Sequence, residues 1–155
     1  MDRVHVAGDP GVAPPGVVGH PPADGPLGQV ADGEVEVGIG DLPEGAIRWR
    51  VDAGTGRRYA GVSGDVNPIH LSGLTAKALG FKRAIAHGMW VKARVLAAVA
   101  NRLPEAFTAD VGFRKPLFLP STVTLASAPR DGGWDAAVRN AKNGTEHLLS
   151  TIRPL

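Results

Sequence analysis

The chain has 155 residues, 21% of them charged, with 17 Lys+Arg against 15 Asp+Glu and a formal net charge of +2. That length holds one domain with a sizeable core, while interspersed charges and an aromatic content of only 5% disfavour a nucleic-acid groove. The chain has no cysteine, which rules out disulfides and thiolate metal sites and is compatible with the cytoplasm, the expected location; no apolar run approaches the roughly 18 residues of a membrane span, and a sequence pI near 9.3 points to a small anionic ligand.

Residues 1–33 carry six prolines and seven glycines and show neither strand nor helix periodicity. They read as a linker or disordered tail, of the kind that follows an upstream domain, with the folded domain over 34–155. "GAIRWRVDA" (45–53) alternates Ile47, Trp49 and Val51 with charged residues, the period of a half-buried strand. "TGRRYAGVSG" (55–64) is a short helix stopped by Gly64, and "SGLTAKALGF" (72–81) a second one capped by Ser72 and stopped by Gly80. "HGMWVKARVLAAVANRL" (87–103) is apolar around most of its circumference and belongs inside as one long helix. Strand-like segments follow over 107–118, 121–129, 134–141 and 146–153, with breaks at Pro120, Asp131-Gly132-Gly133 and Asn143-Gly144. One apolar helix and an antiparallel meander bury their faces only against each other, so the expected class is α+β, a sheet wrapped around a central helix.

Between the first two helices lies "SGDVNPIH" (63–70), with Asp65 and His70 five positions apart. Five residues of α-helix turn about 500° and leave two side chains roughly 140° apart, so a regular helix does not converge them. Pro68 lacks a donor and biases Asn67 toward extended geometry, which bends the chain between the two groups. A carboxylate and an imidazole brought together this way can share a water and exchange its proton, work worth about 10²–10⁴-fold. Spacing alone leaves a plainer reading open, since Ser-Gly-Asp and Asn-Pro are also ordinary turn formers. Asp65, His70 and His87 match no zinc spacing, and no metal is expected. Gly88 stands at the mouth of the long helix, where an unpaired N–H can bind an oxyanion; equally, Gly88 permits tight packing and His87 caps the helix.

"YAGVSGDVNPIHLSGLTA" (59–76), "GFKRAIAHGMW" (80–90) and "FRKPLFLPSTV" (113–123) together resemble the MaoC-like dehydratases and (R)-specific enoyl-CoA hydratases of the hot-dog fold superfamily. The likeness covers about residues 45–155 and rests on Tyr59, Ser63, Gly64, Asp65, Asn67, Pro68, Ile69, His70 and Ala76. Ser72 departs from the pattern, for many relatives carry an acid there. The resemblance implies a single hot-dog fold and reversible syn hydration of a trans-2-enoyl thioester, on coenzyme A or a carrier protein, to an (R)-3-hydroxyacyl thioester. It implies that Asp65 and His70 hold the water, Asn67 supports the loop and the Gly88 N–H binds the thioester oxygen, with no cofactor. Candidate phosphate contacts are Arg57, Arg58, Lys82, Arg83, Arg114 and Lys115, with Lys82 and Arg83 foremost because they are near Gly88 in sequence. Many relatives are double hot dogs, so the implied partner is a second copy or another hot-dog subunit, which would also cover open sheet edges. A non-catalytic acyl-thioester-binding or scaffolding subunit is the alternative, and a hot-dog thioesterase a more distant one.

Overall fold

The computed structural model describes the backbone of Val4–Ala7 and residues 47–155. In chain order the elements are β1 (Val4–Ala7), β2 (Ile47–Val51), α1 (Thr55–Ser63), α2 (Pro68–Leu71), α3 (Gly73–Ala78), α4 (Gly88–Val99), a 3₁₀ turn (Ala100–Arg102), β3 (Ala106–Phe113), β4 (Ser121–Arg130), β5 (Gly133–Asn140) and β6 (Glu146–Pro154). The strands form one sheet in the order β1-β3-β6-β5-β4-β2, and every pairing is antiparallel.

The meander follows from turn chemistry. Between β4 and β5, Asp131 and Gly132 both take positive φ, 46° and 77°, the backbone a two-residue hairpin needs to match strand twist. Between β5 and β6 the Asn140 side chain accepts from the N–H groups of Lys142 and Asn143, closing a longer loop in which Gly144 takes a positive φ of 71°.

Helix α4 lies on one face of this sheet. Val91, Val95 and Val99 recur at i, i+4 and i+8 and are at most 4% exposed. Val91 and Val95 belong to one buried cluster with Trp49, Val123, Val138 and Leu148, while Val99 belongs to another with Ala109 and Ile152. Each buried valine contributes roughly 1.5–3 kcal/mol, which outweighs the helix-propensity cost of at most about 0.7 kcal/mol for a β-branched residue.

Four details differ from the sequence expectation. Val4–Ala7, inside the supposed linker, forms edge strand β1 by pairing Val4 with Ala109 through Ala7 with Ala106; backbone pairing to a waiting edge needs no long apolar run. The rest of 1–33, and the boundary at 34, lie outside the described residues. The long helix ends at Val99 and passes into the 3₁₀ turn, and Ala93, Arg94 and Ala97 on its other side are exposed, because a single sheet layer covers one face. Ile47, expected on the inward side of β2, is 45% exposed at the strand's start, whereas Trp49 and Val51 are buried. The strand expected to run to 118 stops at Phe113, just before a segment containing Pro116. Beyond it the chain makes a separate short ladder, with Ala86 N donating to Leu117 O at 2.8 Å and Leu119 N to Ala84 O at 2.8 Å. This ladder fixes the entry to α4, and with it Gly88.

Candidate active site

The loop from α1 to α2 is built by three short polar side chains that each accept an N–H two residues ahead. Ser63 Oγ accepts from Asp65 N, Asp65 Oδ1 from Asn67 N, and Asn67 Oδ1 from Ile69 N, each at 3.2 Å. Gly64 supplies the positive φ of 75° that ends α1 and returns its N–H to Ala60 O. Asn67 is the N-cap of α2 and Pro68 follows at its start, where a missing N–H costs nothing. Asp65 therefore precedes a new helix that carries His70, and the two side chains are not bound to one helical register.

His70 is 9% exposed. Its Nδ1 lies 2.9 Å from Ile85 O; a carbonyl oxygen only accepts, so Nδ1 carries the proton and Nε2 keeps a lone pair. The same connection is reinforced by Ile85 N donating to Ile69 O at 3.1 Å. Burial lowers the His70 pKa below its ordinary 6.5; the bond to Ile85 opposes the shift, His87 adds to it and Asp65 opposes it. Near neutrality His70 is thus a base with one free nitrogen.

His87 enters the same cluster. Its Nε2 is 3.0 Å from the Asp65 main-chain oxygen and 3.7 Å from the Asp65 carboxylate, and its ring stacks on His70 with centroids 3.7 Å apart and planes 26° from parallel. One carboxylate oxygen of Asp65 and one nitrogen from each histidine lie within 4.8 Å of one another. Those donors do not fit a metal well: His87 Nε2 is committed to a carbonyl, His70 Nδ1 to another, and the two rings are stacked face to face, not splayed around a common centre. They suit proton transfer better.

Next to this cluster opens a cavity of about 460 Å³, lined among others by His70, Gly88, Met89, Phe113, Leu117 and His147. That volume falls within the usual range for small-molecule sites, roughly 300–1,000 Å³. Gly88 is the first residue of α4, so its N–H has no acceptor within the helix. A side chain there would crowd the rim: a Cβ would stand 2.8 Å from Phe113 Cε1, and the ring would have to move aside. Both Met89 and Phe113 are about half exposed at the rim, at 47% and 49%.

Sequence reasoning thus places Asp65, His70, Asn67 and Gly88 in one neighbourhood. Lys82 and Arg83 fall elsewhere: neither lines the cavity, and Arg83 donates to Pro120 O and stacks on Phe118. Arg114 and Lys115, from the wider set of basic candidates, line the cavity instead, delivered by the segment after β3. His87 occupies the N-cap position of α4, as one of the two sequence readings expects, but its side chain makes no capping bond. His147, the other missed residue, lines the cavity with Nδ1 donating to Lys115 O at 3.0 Å; nothing in its local sequence signals that position.

An apolar helix laid on an antiparallel sheet, with an Asp/His loop beside the helix's amino end, defines an α+β hot-dog domain. The chain belongs to the MaoC like domain family, whose pattern matches residues 36–150. It is 46% identical over 114 residues to the 3-hydroxyacyl-thioester dehydratase X of Mycobacterium tuberculosis, an alignment covering 74% of this chain and 41% of that protein. The crystal structure of HtdX from the same organism superposes with a TM-score of 0.68 at 46% identity, covering 74% of this chain and 46% of that one. The (R)-hydratase from A. caviae involved in PHA biosynthesis shares the fold, with a TM-score of 0.58 at 20% identity over 76% of this chain and 97% of that one. The chain therefore spans about two-fifths of the curated relative it matches.

Proposed function

We propose that this chain catalyses (R)-specific, reversible hydration of trans-2-enoyl thioesters, carried by coenzyme A or an acyl-carrier protein, to (R)-3-hydroxyacyl thioesters. The observation that carries the reading is the Asp65 carboxylate and the His70 ring within 4.8 Å in one cluster, with His70 and Gly88 lining one apolar cavity. The name of the mycobacterial dehydratase supports the same substrate class.

In this mechanism a water is held between the Asp65 carboxylate, which accepts one hydrogen, and the His70 Nε2 lone pair, which accepts the other. The water oxygen bonds to the β-carbon as its proton passes to His70 Nε2, and the alkene electrons move toward the thioester oxygen. The Gly88 N–H stabilises that oxygen as charge develops, an effect worth roughly 2.7–4 kcal/mol for a well-aimed donor. His70 then returns the proton to the α-carbon on the same face, leaving the hydroxyl on the β-carbon and the catalyst unchanged. Only an acid, a base and an anion stabiliser are required, so the chemistry calls for no cofactor.

Asn67 supports this loop as the α2 cap, and Arg114 and Lys115 at the cavity, with Lys82 and Arg83 outside its lining, are the candidate contacts for a phosphate-bearing arm. A second hot-dog unit, either another copy or a different subunit, completes the acyl site; the half-exposed Met89 and Phe113 at the rim and the greater length of the relative support this. We place the protein in the cytoplasm, with which a cysteine-free chain is compatible; among the described residues no helix is long and apolar enough to cross a membrane.

The test is hydration of short- and medium-chain enoyl-CoA and carrier-bound substrates by the purified protein, with its size in solution measured alongside. Failure on all of them contradicts the proposal. The second reading, an acyl-thioester-binding subunit without turnover, is favoured by the half exposure of Asp65, 52% of whose side chain is open. Asp65→Asn separates the two: turnover collapses in an enzyme, whereas ligand affinity in a binding subunit barely changes.

A further inference from the structure

His87 is 3% exposed and the acid/base steps above do not use it. Its Nε2 faces the Asp65 carbonyl oxygen at 3.0 Å, and because that oxygen only accepts, Nε2 is the donor. One face of the ring is stacked on His70, and the Tyr59 ring packs nearby with centroids 5.0 Å apart at 60°. The other nitrogen, Nδ1, is buried with no hydrogen-bond partner. An unsatisfied buried nitrogen is unfavourable, so a packing role alone would be filled better by a phenyl ring. A phenyl ring, however, cannot donate to Asp65.

We propose that His87 is a positioning residue for the hydration reaction, its Nε2–H holding the Asp65 main chain and its ring face holding His70, so that both partners are set against the Gly88 amide that follows it in sequence. The inference rests on the Asp65/His70 reading. Asp65 otherwise belongs to a loop whose side-chain bonds are all local and exposed. His87 ties that loop to the start of α4 across 22 residues of sequence. Covalent succession to Gly88 makes one residue the common reference for Asp65, His70 and the oxyanion donor.

Two variants divide the role. His87→Phe keeps the ring face and removes the donor, and kcat is expected to fall about 10- to 100-fold, as misplacement near 1 Å does, with KM changed less than about threefold. His87→Gln restores an N–H near the position of Nε2 and is expected to recover part of that loss. Wild-type kcat in His87→Phe, or no recovery in His87→Gln, overturns the inference. Asp65→Asn is the control in the same assay: if it turns over normally, the Asp/His reading falls and takes this inference with it, whereas a dead Asp65→Asn beside a fully active His87→Phe overturns the role of His87 alone. Long-range ¹H–¹⁵N correlation spectra of the wild-type protein give a readout independent of turnover and of variant folding. They are expected to show His87 protonated at Nε2, and an Nδ1–H form overturns the inference.

Discussion

Gly56→Ala probes the placement of His70 without touching its chemistry. Gly56 is buried in the first turn of α1, and a methyl group there would lie 1.9 Å from His70 O and 2.9 Å from its carbonyl carbon. Ordinary van der Waals contact begins near 3.4 Å, so α1 and α2 must separate by about 1.5 Å. No rotamer relieves the clash, because the obstructing atoms are backbone. Overpacking costs typically 1–3 kcal/mol, against which Ala gains about 1 kcal/mol over Gly in helix propensity. The net loss of about 0–2 kcal/mol is modest, but a shift of 1 Å at a reacting group costs on the order of 100-fold in rate. Activity should therefore fall far more than stability. kcat/KM on an enoyl-CoA and the melting midpoint are measured together, with about a 100-fold loss expected in the first and a drop of less than about 10 °C in the second. Gly61→Ala is the control: a Cβ at Gly61 meets nothing within 4 Å, so the variant should be as active as wild type and slightly more stable. Wild-type kcat/KM in Gly56→Ala would refute the reasoning.

Other consequences follow from the same geometry. Asn67→Ala removes the α2 cap and should cost about 1 kcal/mol in denaturant unfolding, with a drop in kcat because His70 sits on that single turn; unchanged unfolding contradicts the role of the cap. Since burial lowers the His70 pKa, kcat/KM for hydration should rise through a value below pH 6.5 and then level off. The linkage has the same sign: the fold-stabilising contribution of uncharged His70 is fully present above about pH 6.5, its unfolded value, and is lost as pH falls through the folded value. An acid limb centred above pH 6.5 contradicts the assignment. Gly88→Ala brings a methyl 2.8 Å from Phe113 Cε1, the outer edge of a half-exposed ring that can swing away. Circular dichroism and melting should barely change while kcat/KM falls, and adding Phe113→Leu should return part of the activity; an unimpaired single variant contradicts a crowded Gly88 site.

Much of the site was legible because its geometry is local. In Ser63-Gly64-Asp65-Val66-Asn67 every second residue is a short acceptor that catches the N–H two places ahead, and Pro68 then starts a new helix, so the bend that frees Asp65 from the register of His70 is written in one octapeptide. The period of 121–129 and the Asp131-Gly132 turn carry the β4–β5 hairpin in the same local way. What could not be read depends on contacts across the fold. Gly56 looks like any helical glycine until α2 is packed on it, and His87 becomes part of the site through a bond to a main-chain oxygen 22 positions away. Closeness in sequence singled out Lys82 and Arg83 among the basic residues, but the cavity is lined by Arg114 and Lys115, whose main-chain N–H groups bond to His147 O and Glu146 O at the start of β6. The VHVA stretch of β1 is too short to stand out within a Pro/Gly-rich segment, and its pairing partner, β3, lies a hundred residues on.

The most direct measurement is the rate and stereochemistry of enoyl-CoA hydration by the wild-type protein and by Asp65→Asn, each in its native oligomeric form. The proposed function predicts an (R)-3-hydroxyacyl product from wild type, and a water shared by Asp65 and His70 beside the Gly88 amide predicts in the variant a kcat lower by at least about 100-fold with unchanged melting. An (S) product, or an Asp65→Asn rate within threefold of wild type, would contradict it.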